Sequence, residues 1–282
     1  MKIFEKPEEL QAWALAERAA GKRLALVPTM GNLHEGHLSL VRIARERADE
    51  VVVSDFVNPI QFGPNEDYAA YPRTFKEDCE KCEAEGVAVV FHPAPEAMYL
   101  PDASVSLVER RLSKVLCGAS RPGHFDGVCT VVAKLFLLAQ PHVAVFGQKD
   151  AQQLCVIRRM VRDLSFPVEI VAGPISREAD GLARSSRNQY LNPIERAQAP
   201  ALRWSLDAAE ALFARGERRV EMLKAAVKTV LAATPLARPE YVELVDAETL
   251  ESVEGRVERP ALLALAVRFG STRLIDNTIL AP

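Results

Sequence analysis

Arg23-Leu24-Ala25-Leu26-Val27-Pro28-Thr29-Met30-Gly31-Asn32-Leu33-His34-Glu35-Gly36-His37 joins an apolar run of strand length to a segment with helical spacing. The run 23–27 meets Pro28, which cannot donate to a sheet ladder, so the strand is expected to end there. Beyond the turn, Leu38, Leu40, Val41, Ile43 and Ala44 recur at roughly helical spacing, with Arg42, Arg45, Glu46 and Arg47 in the outward positions. A helix start leaves backbone N–H groups unpaired and carries partial positive charge, so it favours an anion. His34 and His37, three apart with Gly36 between them, can both face that anion and donate hydrogen bonds to it. Taken alone, the pair fits helix-capping or surface residues as well. A zinc pair fits less well: His34-Glu35-Gly36-His37 has one residue too few for H-E-x-x-H and no third ligand is evident, so no protein-held metal is expected.

Outward from this stretch the chain alternates. Residues 51–57, rich in valine, read as a strand. A loop of Asn58, Pro59, Gly63, Pro64 and Asn65 follows, then a helix over 74–85 and a short strand over 87–91. Residues 128–139 form a strongly apolar helix, 143–146 a strand and 151–164 a helix. This βαβα rhythm predicts an α/β fold, a doubly wound, Rossmann-like parallel sheet covered on both faces. Ligands in such sheets sit beyond the carboxyl ends of the strands, which singles out the loops 28–37, 58–63 and 147–150. The final third changes character. Residues 193–233 are helical, with Leu202, Leu206, Ala209 and Phe213 spaced by four, three and four, and strand-like runs follow at 241–245, 262–267 and 274–279. Two domains are expected: 1–176, the nucleotide-binding sheet, and 177–282, a smaller α+β domain.

Composition sets outer bounds. A chain of 282 residues can bury a substantial core, and a formal charge of −3 argues against a general nucleic-acid binder. No apolar run reaches bilayer length and Met1-Lys2-Ile3-Phe4-Glu5-Lys6 is not followed by a signal-peptide core, so a soluble cytoplasmic protein is expected, with no membrane partner. Five scattered cysteines do not make a disulfide framework, and Cys79 with Cys82 reads as two residues of a charged helix.

Other segments carry chemistry. Gly147-Gln148-Lys149-Asp150 follows a strand and opens a helix, which places a Lys149 ammonium where it can neutralise phosphate charge. Arg184-Ser185-Ser186-Arg187 puts two hydroxyls and two guanidiniums in four residues, suited to wrapping a triphosphate or to a solvated linker. Arg121-Pro122-Gly123-His124-Phe125 offers a further cation and imidazole, or simply a turn. Gln61 and Gln153 can each position a polar substrate. The phosphate loop G-x-x-x-x-G-K-[ST], the dinucleotide motif G-x-G-x-x-G and the nucleophile elbow G-x-S-x-G are all absent.

Together the segments 28–37, 56–62, Tyr71-Pro72-Arg73-Thr74, 121–125, 147–150, Gln152-Gln153 and Ser185-Ser186-Arg187 closely resemble the pantothenate synthetases, the pantoate–β-alanine ligase family within the HxGH nucleotidyltransferases. Order and spacing match over nearly the whole chain. The resemblance implies ATP-dependent condensation of pantoate with β-alanine through a pantoyl adenylate, with AMP and pyrophosphate released. It implies that His34 and His37 contact the phosphates, with His37 as proton donor, and that Lys149 and Arg187 complete the catalytic set. Met30, Gly31, Asn32, Leu33, His34, Glu35, Gly36, His37, Gly147, Gln148, Lys149, Asp150, Ser176, Arg184, Ser185, Ser186 and Arg187 would line the ATP site. Gln61 and Gln153 would grip pantoate, with Asn58 beside them. The resemblance further implies Mg2+ carried on the ATP phosphates and a homodimer. Acidic Glu77 and Asp78 could assist the Mg2+ only through water.

Four positions depart from the family pattern. Gln148 replaces the usual Glu, Ala151 an aromatic, Asp55 an apolar residue and Arg184 a Met or Leu. Asp55 is expected to bury a carboxylate in a central strand. Two rivals follow from the same motifs. An adenylyltransferase acting on a phosphorylated acceptor fits poorly with uncharged Gln61 and Gln153, and a catalytically dead nucleotide sensor fits poorly with intact His34, His37, Lys149 and Arg187.

Overall fold

The computed structural model describes residues 1–64 and 66–282, and Asn65, read above as part of a loop, lies outside them. The chain forms two compact units. The first holds Met1–Lys114, Gly118–Gln148 and Val156–Pro174; the second holds Val115–Cys117, Lys149–Cys155 and Ile175–Pro282.

In chain order the sheet-bearing part runs β1 (Lys2–Phe4), α1 (Pro7–Ala19), β2 (Leu24–Thr29), α2 (Glu35–Arg45), β3 (Glu50–Asp55), α3 (Phe75–Ala84), β4 (Val89–Phe91) and α4 (Pro95–Met98). It continues through α5 (Leu116–Ser120), α6 (His124–Ala139), β5 (Val143–Gly147), α7 (Ala151–Asp163) and β6 (Glu169–Gly173). The strands form one parallel sheet in the order β1-β4-β3-β2-β5-β6. From β2 the chain builds outward through β3 to β4, then crosses to the other side of β2 for β5 and β6. The reversal falls between β2 and β5, so the crevice at their carboxyl ends is the natural ligand position in this doubly wound fold.

The β2 sequence explains its central place. Alternate side chains go to opposite faces. Ala25 and Val27 pack with Leu40, Val41 and Ala44 of α2, while Leu24 and Leu26 turn to the side covered by α1 and α6, and all four strand residues are fully buried. One expectation is corrected here. The strand does not stop at Pro28 but runs on to Thr29, with Pro28 opposite Ser54 of β3. The β2–β5 pairing covers only Ala25 and Leu26, so Pro28 lies beyond it and its missing N–H removes no bond on that side. Cys79 and Cys82 sit in α3 as free thiols, Cys82 within the core.

The second unit contains α8 (Pro193–Gln198), α9 (Ala201–Ala214), α10 (Val220–Ala232), β7 (Arg238–Asp246), β8 (Ala261–Phe269) and β9 (Thr272–Leu280). The three strands make an antiparallel meander. The four-three-four series Leu202, Leu206, Ala209 and Phe213 forms the buried stripe of α9 and packs with Leu223, Val227 and Leu231 of α10 and Leu263, Leu265 and Val267 of β8. No described helix is long and apolar enough to cross a membrane.

Candidate active site

In the first unit the loop after β2 is built around left-handed backbone. Gly31 has φ +76° and Asn32 φ +50°, the region glycine tolerates freely and asparagine more readily than most residues. The turn aligns two backbone N–H groups: those of Asn32 and Leu33 donate to Oδ2 and Oδ1 of Asp78, both at 2.7 Å. Thr74 Oγ1 donates to the same carboxylate and Lys81 Nζ donates to the Leu33 carbonyl. Asp78, read above as at most a water-mediated helper of magnesium, anchors the loop from α3 and is itself buried.

His34 is the N-cap of α2. Its Nδ1 accepts the Gly36 N–H at 3.1 Å, and His37 Nδ1 accepts the His34 N–H at 3.3 Å, a reciprocal capping arrangement made by imidazoles. The rings stack with centroids 4.1 Å apart. Both Nδ1 lone pairs are thus occupied, so each neutral ring carries its proton on Nε2, where it can serve as a donor to a ligand. The two caps thereby fix the tautomer of both rings. Glu35 is engaged differently: its carboxylate pairs with Arg42 on the exposed side of α2.

Behind this loop lies Asp55, at the end of β3. Gly31 presses on it so closely that a Cβ there would stand 2.3 Å from Oδ1. The carboxylate is buried, its Oδ2 has no hydrogen-bond partner, and His92 Nδ1, 3.8 Å from Oδ1, donates to the Asp55 backbone carbonyl at 2.7 Å. Burial pushes the carboxyl up to about 6, against some relief from His92 and with further repulsion from Asp78. The expectation of a buried strand carboxylate holds. Because Asp55 binds its proton more tightly folded than unfolded, its cost to stability sets in as pH rises from about 4 to 6 and is complete above that. Asp55→Asn should stabilise the protein by about 2–3 kcal/mol at pH 8 and by much less at pH 4, measured by urea unfolding at both pH values.

On the loop after β3, Asn58 precedes and Gln61 ends a 3-10 turn at Pro59–Gln61. Asn58 Nδ2 donates to Gln61 Oε1 at 2.9 Å, and Gln61 Nε2 lies 3.1 Å from Met30 Sδ. Tyr99 donates its hydroxyl to Asn58 Oδ1 at 2.7 Å, and its burial pushes the phenol well above its ordinary range, keeping it a donor. Met30, Asn58 and Gln61 are therefore linked by direct contacts. At the end of β5, Gly147 pairs with Gly173 of β6 and leads into Gln148.

The second unit carries the other predicted residues. Lys149 lies in a 3-10 turn at Gln148–Asp150, its carbonyl held by Asn277 Nδ2 at 2.9 Å. Its ammonium is 3.8 Å from Asp150 and its side chain is 23% exposed, enough to reach a ligand. Gln152 and Gln153 separate in role. Gln152 is buried and bonds the Cys117 N–H and the Val115 carbonyl, whereas the half-buried Gln153 amide has no partner among the described residues.

Residues 176–184 form a small hairpin. The Arg184 N–H donates to the Ser176 carbonyl at 2.9 Å, Arg177 bridges Ala183, and the Glu178 N–H donates to the Leu182 carbonyl. A bidentate Arg177–Asp276 pair at 2.7 and 3.0 Å fixes the hairpin to β9. Ser176 thereby meets Arg184, which local sequence could not show. Arg184 Nε is buried without a partner, and Ser185 Oγ caps the turn Ser186–Tyr190 by accepting the Arg187 N–H at 3.3 Å. Among the described residues no cluster of three or more His, Cys, Asp or Glu is arranged to hold a metal ion.

A doubly wound parallel sheet with a paired-imidazole cap at its switch point defines a nucleotide-binding α/β enzyme of the HxGH class. The comparisons narrow that class. The family model described as pantoate–β-alanine ligase matches residues 2–279. Pantothenate synthetase from Thermotoga petrophila is 56% identical over 280 residues, covering 99% of this chain and 100% of the relative. That from Geobacter sulfurreducens is 52% identical, covering 99% of each. The crystal structure of pantothenate synthetase from Thermus thermophilus superposes with TM-score 0.94 at 45% identity, covering 100% of both chains. The Francisella tularensis ligase, solved with β,γ-ATP and β-alanine, gives 0.79 at 30% identity, covering 99% of this chain and 97% of that one. The chain belongs to the pantoate–β-alanine ligase family.

Proposed function

We propose that the protein carries out its ligation in two steps, through an acyl adenylate. The protein is an ATP-dependent ligase that joins pantoate to β-alanine. In the proposed route a pantoate carboxylate oxygen attacks the α-phosphorus of ATP and the bond to the bridging oxygen breaks, releasing pyrophosphate. The β-alanine amine then attacks the acyl carbon of the pantoyl adenylate, loses a proton, and AMP leaves. Such a reaction rests on positioning and on stabilising charge that develops on phosphate oxygens.

The paired Nε2–H groups of His34 and His37 at the start of α2 carry this reading, because they supply fixed donors where an anion is favoured. Residues 30–37 and 147–150 would line the nucleotide, with Ser176, Arg184, Ser185 and Ser186. Lys149 and Arg187 would neutralise the triphosphate, and His37 would donate to the departing pyrophosphate. Gln61 and Gln153 would bind pantoate, with Asn58 orienting Gln61. Magnesium would arrive on the nucleotide, held by phosphate oxygens and water, in keeping with its habit of retaining waters and taking few protein ligands. It supplies charge neutralisation when bound. We further propose residues 1–176 and 177–282 as the functional domains, a cytoplasmic location and a homodimer. Incubation with ATP, pantoate and β-alanine should release AMP and pantothenate in equal amounts, followed by chromatography; ADP in place of AMP would refute the adenylate route.

A further inference from the structure

The segment 121–125 has no part in the function above, yet the structure ties it to Gln61. Arg121 donates from Nε and Nη2 to the Glu66 carboxylate at 2.7 and 2.5 Å. A third guanidinium N–H, on Nη1, lies 2.9 Å from His124 Nε2. Guanidinium only donates, so Nε2 is the acceptor and His124 carries its proton on Nδ1. That Nδ1–H then donates to the Gln61 backbone carbonyl at 2.8 Å. The start of α6 closes on the same turn from a second side: the Gly127 carbonyl accepts Asn58 Nδ2 at 3.2 Å. A Cβ on Gly127 would stand 2.5 Å from the Ile60 carbonyl oxygen and 2.8 Å from Gln61 N. Glycine there lets helix and turn touch backbone to backbone.

We propose that Arg121 and His124 are positioning residues for pantoate binding: the chain Glu66–Arg121–His124 locks the Gln61 backbone so that its side-chain amide is already placed when substrate enters. The proposal rests on the reading that Gln61 contacts pantoate. It accounts for a cation and an imidazole at this spacing, since a donor-only side chain is what forces the imidazole to present Nδ1–H to the carbonyl. It also assigns Glu66 a task, to orient the arginine through a bidentate pair that is largely shielded from solvent.

The test compares steady-state KM for pantoate, KM for ATP and kcat in wild type, His124→Leu, His124→Asn, Glu66→Gln and Gln61→Ala. His124→Leu leaves a buried carbonyl unpaired and should raise pantoate KM roughly ten- to a hundredfold while ATP KM moves less than about twofold. Asparagine places an amide N–H near the position of Nδ1, so His124→Asn should return pantoate KM to within about threefold of wild type. Glu66→Gln, which leaves the core untouched, should raise it about three- to fivefold. The proposal is overturned if pantoate KM in His124→Leu and Glu66→Gln stays at the wild-type value, or if His124→Asn is as impaired as His124→Leu. Gln61→Ala separates the two layers. An unchanged pantoate KM in that variant overturns the pantoate reading itself, whereas a raised value beside an unaffected His124→Leu overturns only the positioning role.

Discussion

His37→Ala is expected to lower kcat by roughly a hundred- to a thousandfold, at least about 2.7 kcal/mol of transition-state stabilisation, with a much smaller change in ATP KM. Nδ1 accepts the His34 N–H and closes the helix cap. In the proposed route Nε2–H would serve the phosphate that gains charge as pyrophosphate departs. Alanine removes both, so the variant should also lose about 1 kcal/mol of stability through the cap. His37→Asn separates them: asparagine is a good capping acceptor and lacks a donor at the Nε2 position. It should therefore melt close to wild type and turn over as slowly as alanine. Near-normal turnover in either variant contradicts the role given to Nε2.

Lys149→Ala is expected to cost a similar factor, again at least about 2.7 kcal/mol, read from the rate of AMP formation at saturating substrates. Its ammonium is partly exposed, and its ion pair is the loose 3.8 Å contact with Asp150, so little of its charge is consumed within the fold. The backbone at Lys149 is held independently through Asn277, and truncating the side chain should leave the 3-10 turn in place. Lys149→Arg should recover only part of the rate, because a planar fork does not reproduce a compact, rotatable ammonium. Unaltered stability with lost turnover is the expected signature; a fully active Lys149→Ala would remove this residue from the mechanism.

The strand–turn–helix around the two histidines was legible because its signals are local. An apolar run, a glycine in the turn and helical spacing afterwards each report on neighbours within a few residues. Pro28 misled for the same reason: its cost depends on how far β5 extends along β2, a tertiary fact. The edge strand β1 went unread because Lys2 and Ile3 are exposed and acquire strand identity only by pairing with β4. Tyr99, His92 and Gly127 went unread because each reaches the site across a long stretch of chain, to Asn58, Asp55 and Gln61. Likewise Gln152 draws Val115–Cys117 into the second unit through hydrogen bonds spanning 35 and 37 residues, which a single cut near residue 176 has no means to express.

Asp78 teaches the converse lesson. Its charge suggested chemistry, but two convergent backbone N–H groups engage both oxygens, and its value lies in holding Gly31 to Leu33 in a conformation the residues would otherwise leave. Asp55 beside it is the costly member of the pair, a carboxylate where the surrounding strand offers one oxygen nothing to bind.

The adenylate is the centre of the account, and isotope exchange tests it most directly. Labelled pyrophosphate should enter ATP when pantoate is present and β-alanine is absent, and should not enter when pantoate is withheld, because only attack of the pantoate carboxylate makes the first step reversible. Exchange that proceeds equally without pantoate, or that requires β-alanine, would contradict it.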